Sequence, residues 1–280
     1  MFPNTFEYTK ANTVDEALAA LNGEAKFLAG GQSLLAAMKL RLNNPEKLVD
    51  ITKIAELKGI KEQGNEIVIG AGTTHNEIVK SSLIQSKLPI LAQAGGLIGD
   101  IQVRNVGTLG GSLAHADPAA DWPASLLACE ATIVVKGSGG SRSIKAADFF
   151  TGLFATALQE GELITEVRVP IPASGTVDAY MKFMQPASRF AIVGCAVVLT
   201  KNGSTIQNAR IGFTGVSEFA FRDSAVENAL NGQTLNEATI QAAAQKAVEG
   251  VSILSDHFAS EEYRKHLAKV YCKRTLMSLI

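Results

Sequence analysis

The sequence predicts an α+β chain of two domains: an α/β region carrying two glycine turns, then a three-stranded antiparallel sheet covered by helices. Three observations carry that reading. Residues 27–35 read as a strand, a Gly30-Gly31 turn and a helix. Residues 107–114 repeat the pattern around Gly110-Gly111. At 170–175 prolines and a glycine punctuate the chain, and three strand-like runs follow. The domains are therefore expected at 1–175, with subdomains of about 1–55 and 56–175, and at 176–280.

The elements follow in order. Residues 6–8 suit a short strand. Thr13 and Glu16 form a capping box for the helix to Leu21, and Asn22-Gly23 stops it. Residues 26–29 are a strand entering the first turn. Residues 34–42 are strong helix formers with a cationic last turn. Residues 48–51 are another strand, and 55–60 lead into an antiparallel region. Residues 66–72 read as a strand ending in glycines, and Thr74 with Glu77 opens a helix. Residues 89–98 form a helix with a glycine-rich end. Asp117 opens the next helix, which runs through Cys129. Residues 131–136 are a β-branched strand, 137–141 turn, and 142–144 return. Residues 147–152 are a short helical or loop element, and 162–169 alternate like a half-buried strand. Strands at 178–184, 191–200 and 209–214 then pair antiparallel through an Asn202-Gly203 turn. Helices are expected at about 222–230, 237–248 and 260–279.

A chain of 280 residues with 46% hydrophobic and 19% charged content has enough apolar material for real cores. A net charge of −1, without a dense Lys/Arg stripe, gives no reason to expect a nucleic-acid partner. No apolar run suits a membrane span. The first five residues lack the features of a secretory leader, so the cytoplasm is the expected compartment. Cys129, Cys195 and Cys272 are far apart, which argues against a disulfide framework, a zinc site or an iron–sulfur cluster within this chain. They read as buried thiols.

Glycines between a strand and a helix let backbone N–H groups approach an anion, and the helix start favours phosphate. Singly, each Gly-Gly pair is an ordinary tight turn. As a matched pair, each beside a hydroxyl residue, they suggest two clamps on one diphosphate. Neither fits G-x-G-x-x-G, so a Rossmann dehydrogenase is excluded. His75 and His115 lack nucleophile partners and read as structural or near a cofactor, and Trp122 as a packing anchor.

Residues 29–35, 102–112 and 117–121, in this order and separation, resemble the FAD-binding medium subunit of the molybdenum hydroxylases, the group of carbon monoxide dehydrogenase, quinoline oxidoreductase and xanthine dehydrogenase. The resemblance extends through 48–51, 70–75, 148–152 and the C-terminal strands. It implies the bipartite FAD-binding α/β fold of the vanillyl-alcohol oxidase (PCMH) type, followed by the α+β domain. Ala29, Gly30, Gly31, Gln32, Ser33 and Leu34, with Thr108, Leu109, Gly110, Gly111 and Ser112, would hold the FAD diphosphate through backbone N–H groups and hydroxyls. Asp121 matches an acid that binds ribityl or ribose hydroxyls; read alone, it is a residue favoured at a helix start. Lys182 matches a lysine at the pyrimidine edge of the flavin; read alone, it is a solvated charge. Phe190 matches an aromatic over the isoalloxazine, with a core position as the alternative, and Ile164 completes the cofactor-binding set.

The resemblance also implies partners. A large subunit would carry the molybdenum cofactor and choose the substrate. A small subunit would carry two two-iron two-sulfur clusters, and the whole would be a dimer of heterotrimers. Electrons would reach FAD here and leave to an external acceptor, with no catalytic acid or base and no metal in this chain. Three positions depart from the family pattern. Gln32 stands where many relatives have His, Ser112 where many have Asn, and Arg189 where an acid is expected. The rival readings are a self-sufficient FAD-dependent oxidase or reductase of the same fold, and a regulatory nucleotide binder without turnover.

Overall fold

A computed structural model describes residues 2–280; Met1, the first residue of the stretch read for a leader, lies outside them. The chain opens with β1 (Glu7–Lys10), α1 (Val14–Ala20), β2 (Ala25–Leu28), α2 (Leu34–Lys39) and β3 (Lys47–Asp50). The strands form a parallel sheet in the order β1-β3-β2. The Thr13 hydroxyl accepts the Glu16 N–H, which starts α1 where the capping box predicts, and Val14 and Ala17 are buried.

Next come β4 (Ile60–Gln63), β5 (Glu66–Gly70), α3 (His75–Lys80), α4 (Ser82–Lys87), α5 (Pro89–Leu97), α6 (Ile101–Val106), α7 (Leu109–His115) and α8 (Asp121–Ala128). Then follow β6 (Thr132–Gly137), β7 (Gly140–Lys145), α9 (Ala146–Phe149), β8 (Phe150–Gly152), β9 (Ala155–Thr156) and β10 (Leu163–Pro170). The main strands form an antiparallel sheet in the order β4-β5-β10-β6-β7. Helix α8 is buried along its whole length, with Trp122 only 1% exposed.

The rest comprises β11 (Thr176–Met184), β12 (Ala191–Asn202), β13 (Thr205–Thr214), β14 (Phe221–Arg222), α10 (Ser224–Leu230), α11 (Glu237–Ala244) and α12 (Glu261–Met277). The sheet order is β11-β12-β13-β14, so it has four strands where the sequence predicts three. The fourth is a two-residue strand, too short to show a period, that pairs Arg222 with Gly212 and Phe221 with Phe213. It occupies the start of the expected 222–230 helix. That helix begins after Asp223, whose carboxylate caps it by accepting the Val226 N–H at 3.2 Å.

Strand β12 is buried on both faces. Ala196 and Val198 belong to the core around α8, whereas Val193, Cys195, Val197 and Leu199 belong to the core under α10–α12. This explains its unbroken apolar run. Helix α8 lies close on the same sheet: a Cβ on Gly212 would come within 2.3 Å of the Ala124 carbonyl oxygen. The expected helix start at Asp117 is displaced to Asp121 for a related reason. The preceding carbonyls are taken by the C-terminal sheet. Pro118 accepts from Gly215 N–H at 2.7 Å and Ala119 from Ala191 N–H at 3.1 Å. The Thr214 hydroxyl contacts Pro118 and Ala120 carbonyls at 2.8 and 2.7 Å. Among the described residues, no helix is long and apolar enough to cross a membrane.

Candidate functional site

The two glycine turns are pressed together. A Cβ on Gly30 would lie 2.3 Å from the Val106 carbonyl oxygen and 2.7 Å from the Gly107 Cα. Such distances leave room for hydrogen alone. Gly31 has a φ of +68°, the left-handed region, and turns the chain into α2. Across the contact, a Cβ on Gly111 would sit 3.6 Å from the Ala29 Cβ.

The turns differ in what they leave free. Among the described residues, the N–H groups of 30–34 reach no backbone carbonyl, and Ser33 makes no side-chain capping bond. The second turn is already committed. Leu109 N–H donates to Thr73 O at 3.0 Å, and Gly110 N–H to Ala71 O at 2.8 Å. Gly111 N–H donates to the Thr108 hydroxyl at 3.2 Å, and Ser112 N–H to Thr108 O at 3.1 Å. The expectation that both turns clamp through backbone N–H groups is therefore corrected for the second turn, whose amides are already bonded. Gly110 is a glycine because a Cβ would meet the Ala71 Cβ at 2.6 Å, and Leu109 is a core residue at 1% exposure. The second turn supplies a rigid backbone wall. Its residue Ser112 stays half-buried, and Gln32 on the first turn is exposed.

The wall is braced by residues 70–75. His75 N–H donates to Gly107 O at 2.9 Å. His75 Nδ1 accepts the Trp122 indole N–H at 3.0 Å, and a Cβ on Gly107 would lie 2.8 Å from its Nε2. Burial, reinforced by the charge of Arg104, lowers the His75 pKa from 6.5 to about 4. The ring is thus a neutral strut, with its proton on Nε2 because Nδ1 accepts.

A second cluster lies at the domain seam. Lys182 Nζ donates to Asp121 Oδ2 at 2.8 Å and to the Arg189 carbonyl at 2.6 Å. The Tyr180 hydroxyl donates to Asp121 Oδ1 at 2.6 Å. The Lys182 side chain is 0% exposed and that of Asp121 is 4% exposed, so neither is a solvated surface charge. Burial raises the Asp121 pKa, opposed by Lys182 and Tyr180. It lowers that of Lys182, opposed by Asp121. Each Asp121 oxygen already accepts one hydrogen bond from within the protein, from Tyr180 and from Lys182.

Phe190 is 43% exposed, so the core alternative for it falls. It follows Arg189, which holds a left-handed φ of +63° in a turn closed by Arg189 N–H to Gln185 O at 2.8 Å. The Lys182 contact at this position is made by the Arg189 backbone carbonyl and not by its side chain. Ile164 is 3% exposed in the core around α8, at a bulge in the β10–β6 pairing, so its side chain is structural. Sequence reasoning missed Tyr180. The available signal was Gly194 in an apolar strand, where a Cβ would lie 2.4 Å from the Tyr180 hydroxyl.

A strand–turn–helix with free amides, packed on a second glycine turn, suits a carrier of a phosphate-bearing cofactor. Comparisons with known proteins make this specific. The family described as FAD binding domain in molybdopterin dehydrogenase matches residues 4–172, and CO dehydrogenase flavoprotein C-terminal domain matches 178–279. The carbon monoxide dehydrogenase medium chain of Hydrogenophaga pseudoflava is 42% identical, over 99% of this chain and 97% of that one. The glyceraldehyde dehydrogenase medium chain of Sulfolobus acidocaldarius is 38% identical over 96% of each. A solved carbon monoxide dehydrogenase from Hydrogenophaga pseudoflava, lacking the Mo-pyranopterin moiety, superposes with a TM-score of 0.96 at 43% identity, covering 100% of this chain and 98% of that one. The chain belongs to the family of FAD-binding medium subunits of molybdenum hydroxylases, and its cofactor is FAD. The free amides of the first turn and the hydrogen-only approach at Gly30 suit a bound diphosphate.

Two outcomes follow from this geometry. Gly30→Ala should push the turns apart and weaken FAD binding on the order of tenfold, about 1.4 kcal/mol, as read by flavin-fluorescence titration. The second concerns pH. The folded His75 pKa lies below its unfolded value, so its contribution is fully present above about pH 6.5 and is lost as pH falls towards 4. Up to roughly 3 kcal/mol is at stake. Urea unfolding from about pH 7 to about pH 5 should show a smaller loss of stability in His75→Gln than in the parent.

Proposed function

We propose that this chain is the FAD-carrying electron-transfer subunit of a molybdenum hydroxylase complex. It takes electrons from the two-iron two-sulfur clusters of a small subunit and passes them to an external acceptor. A large subunit with the molybdenum cofactor oxidises the substrate. The observation that carries the reading is the pair of glycine turns, one with free amides and one rigid, in a chain that matches medium chains along its whole length. We further propose a dimer of heterotrimers in the cytoplasm, and a domain division near 175.

The residues divide the task. Ala29 to Leu34 bind the diphosphate through amides and the Ser33 hydroxyl, while Thr108 to Ser112 form the opposing wall. Lys182 holds a positive charge at the pyrimidine edge, which favours a negative charge developing there on reduction. Exposed Phe190 covers one ring face and excludes water. Asp121 acts as the counter-ion that keeps Lys182 in place. FAD, when bound, supplies the one- and two-electron chemistry.

Isolation under native conditions tests the reading. Flavin absorbance with a broad iron–sulfur shoulder and two co-purifying chains is the expected result. Flavin on a lone chain that is bleached by an organic substrate would replace it with the self-sufficient enzyme. Lys182→Met should make the bound flavin harder to reduce, by roughly 30 mV for each tenfold loss in the two-electron equilibrium. Spectroelectrochemistry of the complex gives that value, and an unchanged potential would remove the charge from its assigned place.

A further inference from the structure

The buried Asp121–Lys182 pair poses a problem of proton placement. Burial disfavours the charged form of each partner, so the pair is drawn towards a neutral acid beside a neutral amine. A neutral Lys182 would exert no field. What holds the ionised arrangement must lie in the contacts around it.

Those contacts converge from three elements. From β11, the Tyr180 hydroxyl donates to Asp121 Oδ1 at 2.6 Å, the oxygen that Lys182 leaves free. From the turn after β11, the Arg189 carbonyl accepts from Lys182 Nζ at 2.6 Å. From β12, Gly194 carries no side chain, and any Cβ there would displace the Tyr180 hydroxyl at 2.4 Å. The other ionisable groups bearing on the pair are the Arg189 guanidinium, which opposes charge on Lys182, and the Cys195 thiol beside Tyr180. Burial and the neighbouring Asp121 carboxylate raise the Tyr180 pKa well above its ordinary value, so the phenol remains a donor. A hydrogen bond to an ionised group is among the stronger ones, so the phenol favours the carboxylate form of Asp121 over the neutral acid.

We propose that Tyr180 is a positioning residue that keeps Asp121 ionised and Lys182 charged, and thereby raises the reduction potential of the bound flavin. The link to the flavin rests on the placement of Lys182 proposed above. The link between Tyr180 and the lysine charge stands on the hydrogen bonds alone. Tyr180 acts through two intermediaries, Asp121 and Lys182. Losing its hydroxyl moves the proton balance of the pair towards neutrality, so the cation fades at a lower pH.

The experiment compares the parent, Tyr180→Phe and Lys182→Met as assembled, FAD-loaded complexes. Tyr180→Phe should retain FAD and lower the flavin midpoint potential in the same direction as Lys182→Met. A tenfold weaker two-electron reduction, about 30 mV, is the expected size. A second readout follows the Lys182 ε-carbon by NMR in the cofactor-free full chain labelled with 13C-lysine, assigned by its absence in Lys182→Met. The parent signal should be that of an ammonium at neutral pH, and Tyr180→Phe should move its titration to lower pH. An unchanged potential together with an unchanged titration overturns the proposal. If Lys182→Met leaves the potential unmoved, the flavin-edge reading fails, and the lysine titration alone decides the role of Tyr180. If Tyr180→Phe does not fold, Gly194→Ala, which crowds the phenol off Asp121, takes its place: a lysine titration moved to lower pH supports the proposal, and an unmoved titration, or a neutral amine at pH 7 in the parent, overturns it.

Discussion

Burying Asp121 against Lys182 constrains more of this molecule than any other contact. An acid and a base with almost no solvent access must find every partner within the protein. Those partners come from both domains. Asp121 begins α8, while Lys182 and Tyr180 lie on β11. The carbonyls just before Asp121 are spent on β13 and on the start of β12. Gly194 and Gly212 then become necessary, because backbone, helix and phenol all occupy the space a methyl group would need. The seam is a polar knot enclosed by an apolar core. Removing either charge alone would strand the other in a medium that cannot solvate it.

The glycine turns show how similar sequence motifs diverge in physical role. Gly30-Gly31 needs its glycines for a close approach and a left-handed φ, and its neighbouring amides stay free. Gly110-Gly111 lies inside the first turn of α7, where the amides are consumed by Ala71, Thr73 and Thr108. One turn is therefore the binding edge and the other its abutment. The stretch from Gly70 to His75 belongs to the abutment, held by the His75–Trp122 hydrogen bond.

Much of this was legible in the sequence, for identifiable reasons. The hydroxyl cap at Thr13 and the capping box at Thr74 fix helix starts because hydroxyl, spacing and acid act locally; at the first, the Glu16 carboxylate takes the Asn12 N–H instead of that of Thr13. The Asn202-Gly203 turn fixes the long hairpin, with Gly203 at a φ of +58°. What stayed hidden depends on distant partners. The helix at Asp121 starts four residues later than local pattern suggests because another domain takes its carbonyls. β14 exists because Arg222 and Phe221 find β13, a pairing no two-residue pattern announces. The commitment of the second turn's amides and the partnership of Tyr180 with Asp121 are likewise tertiary. The separate identification of Lys182 and Asp121 rested on family likeness, and composition gave no hint that they form one pair.

The two-sided burial of β12 bears on how such a protein is made and dismantled. Two family descriptions divide the chain between residues 172 and 178, as though each part were a portable module. Yet Tyr180, Ala196 and Val198 lie in the same apolar cluster as Trp122 and Ala124. A truncated first module would expose that cluster to water, and a truncated second one would bare the opposite face of the same sheet. The boundary between the two family descriptions is thus not a boundary of the packing: the apolar core runs across it. A nascent chain that ends at residue 172 would lack Tyr180, Ala196 and Val198, and so one side of the cluster around Trp122.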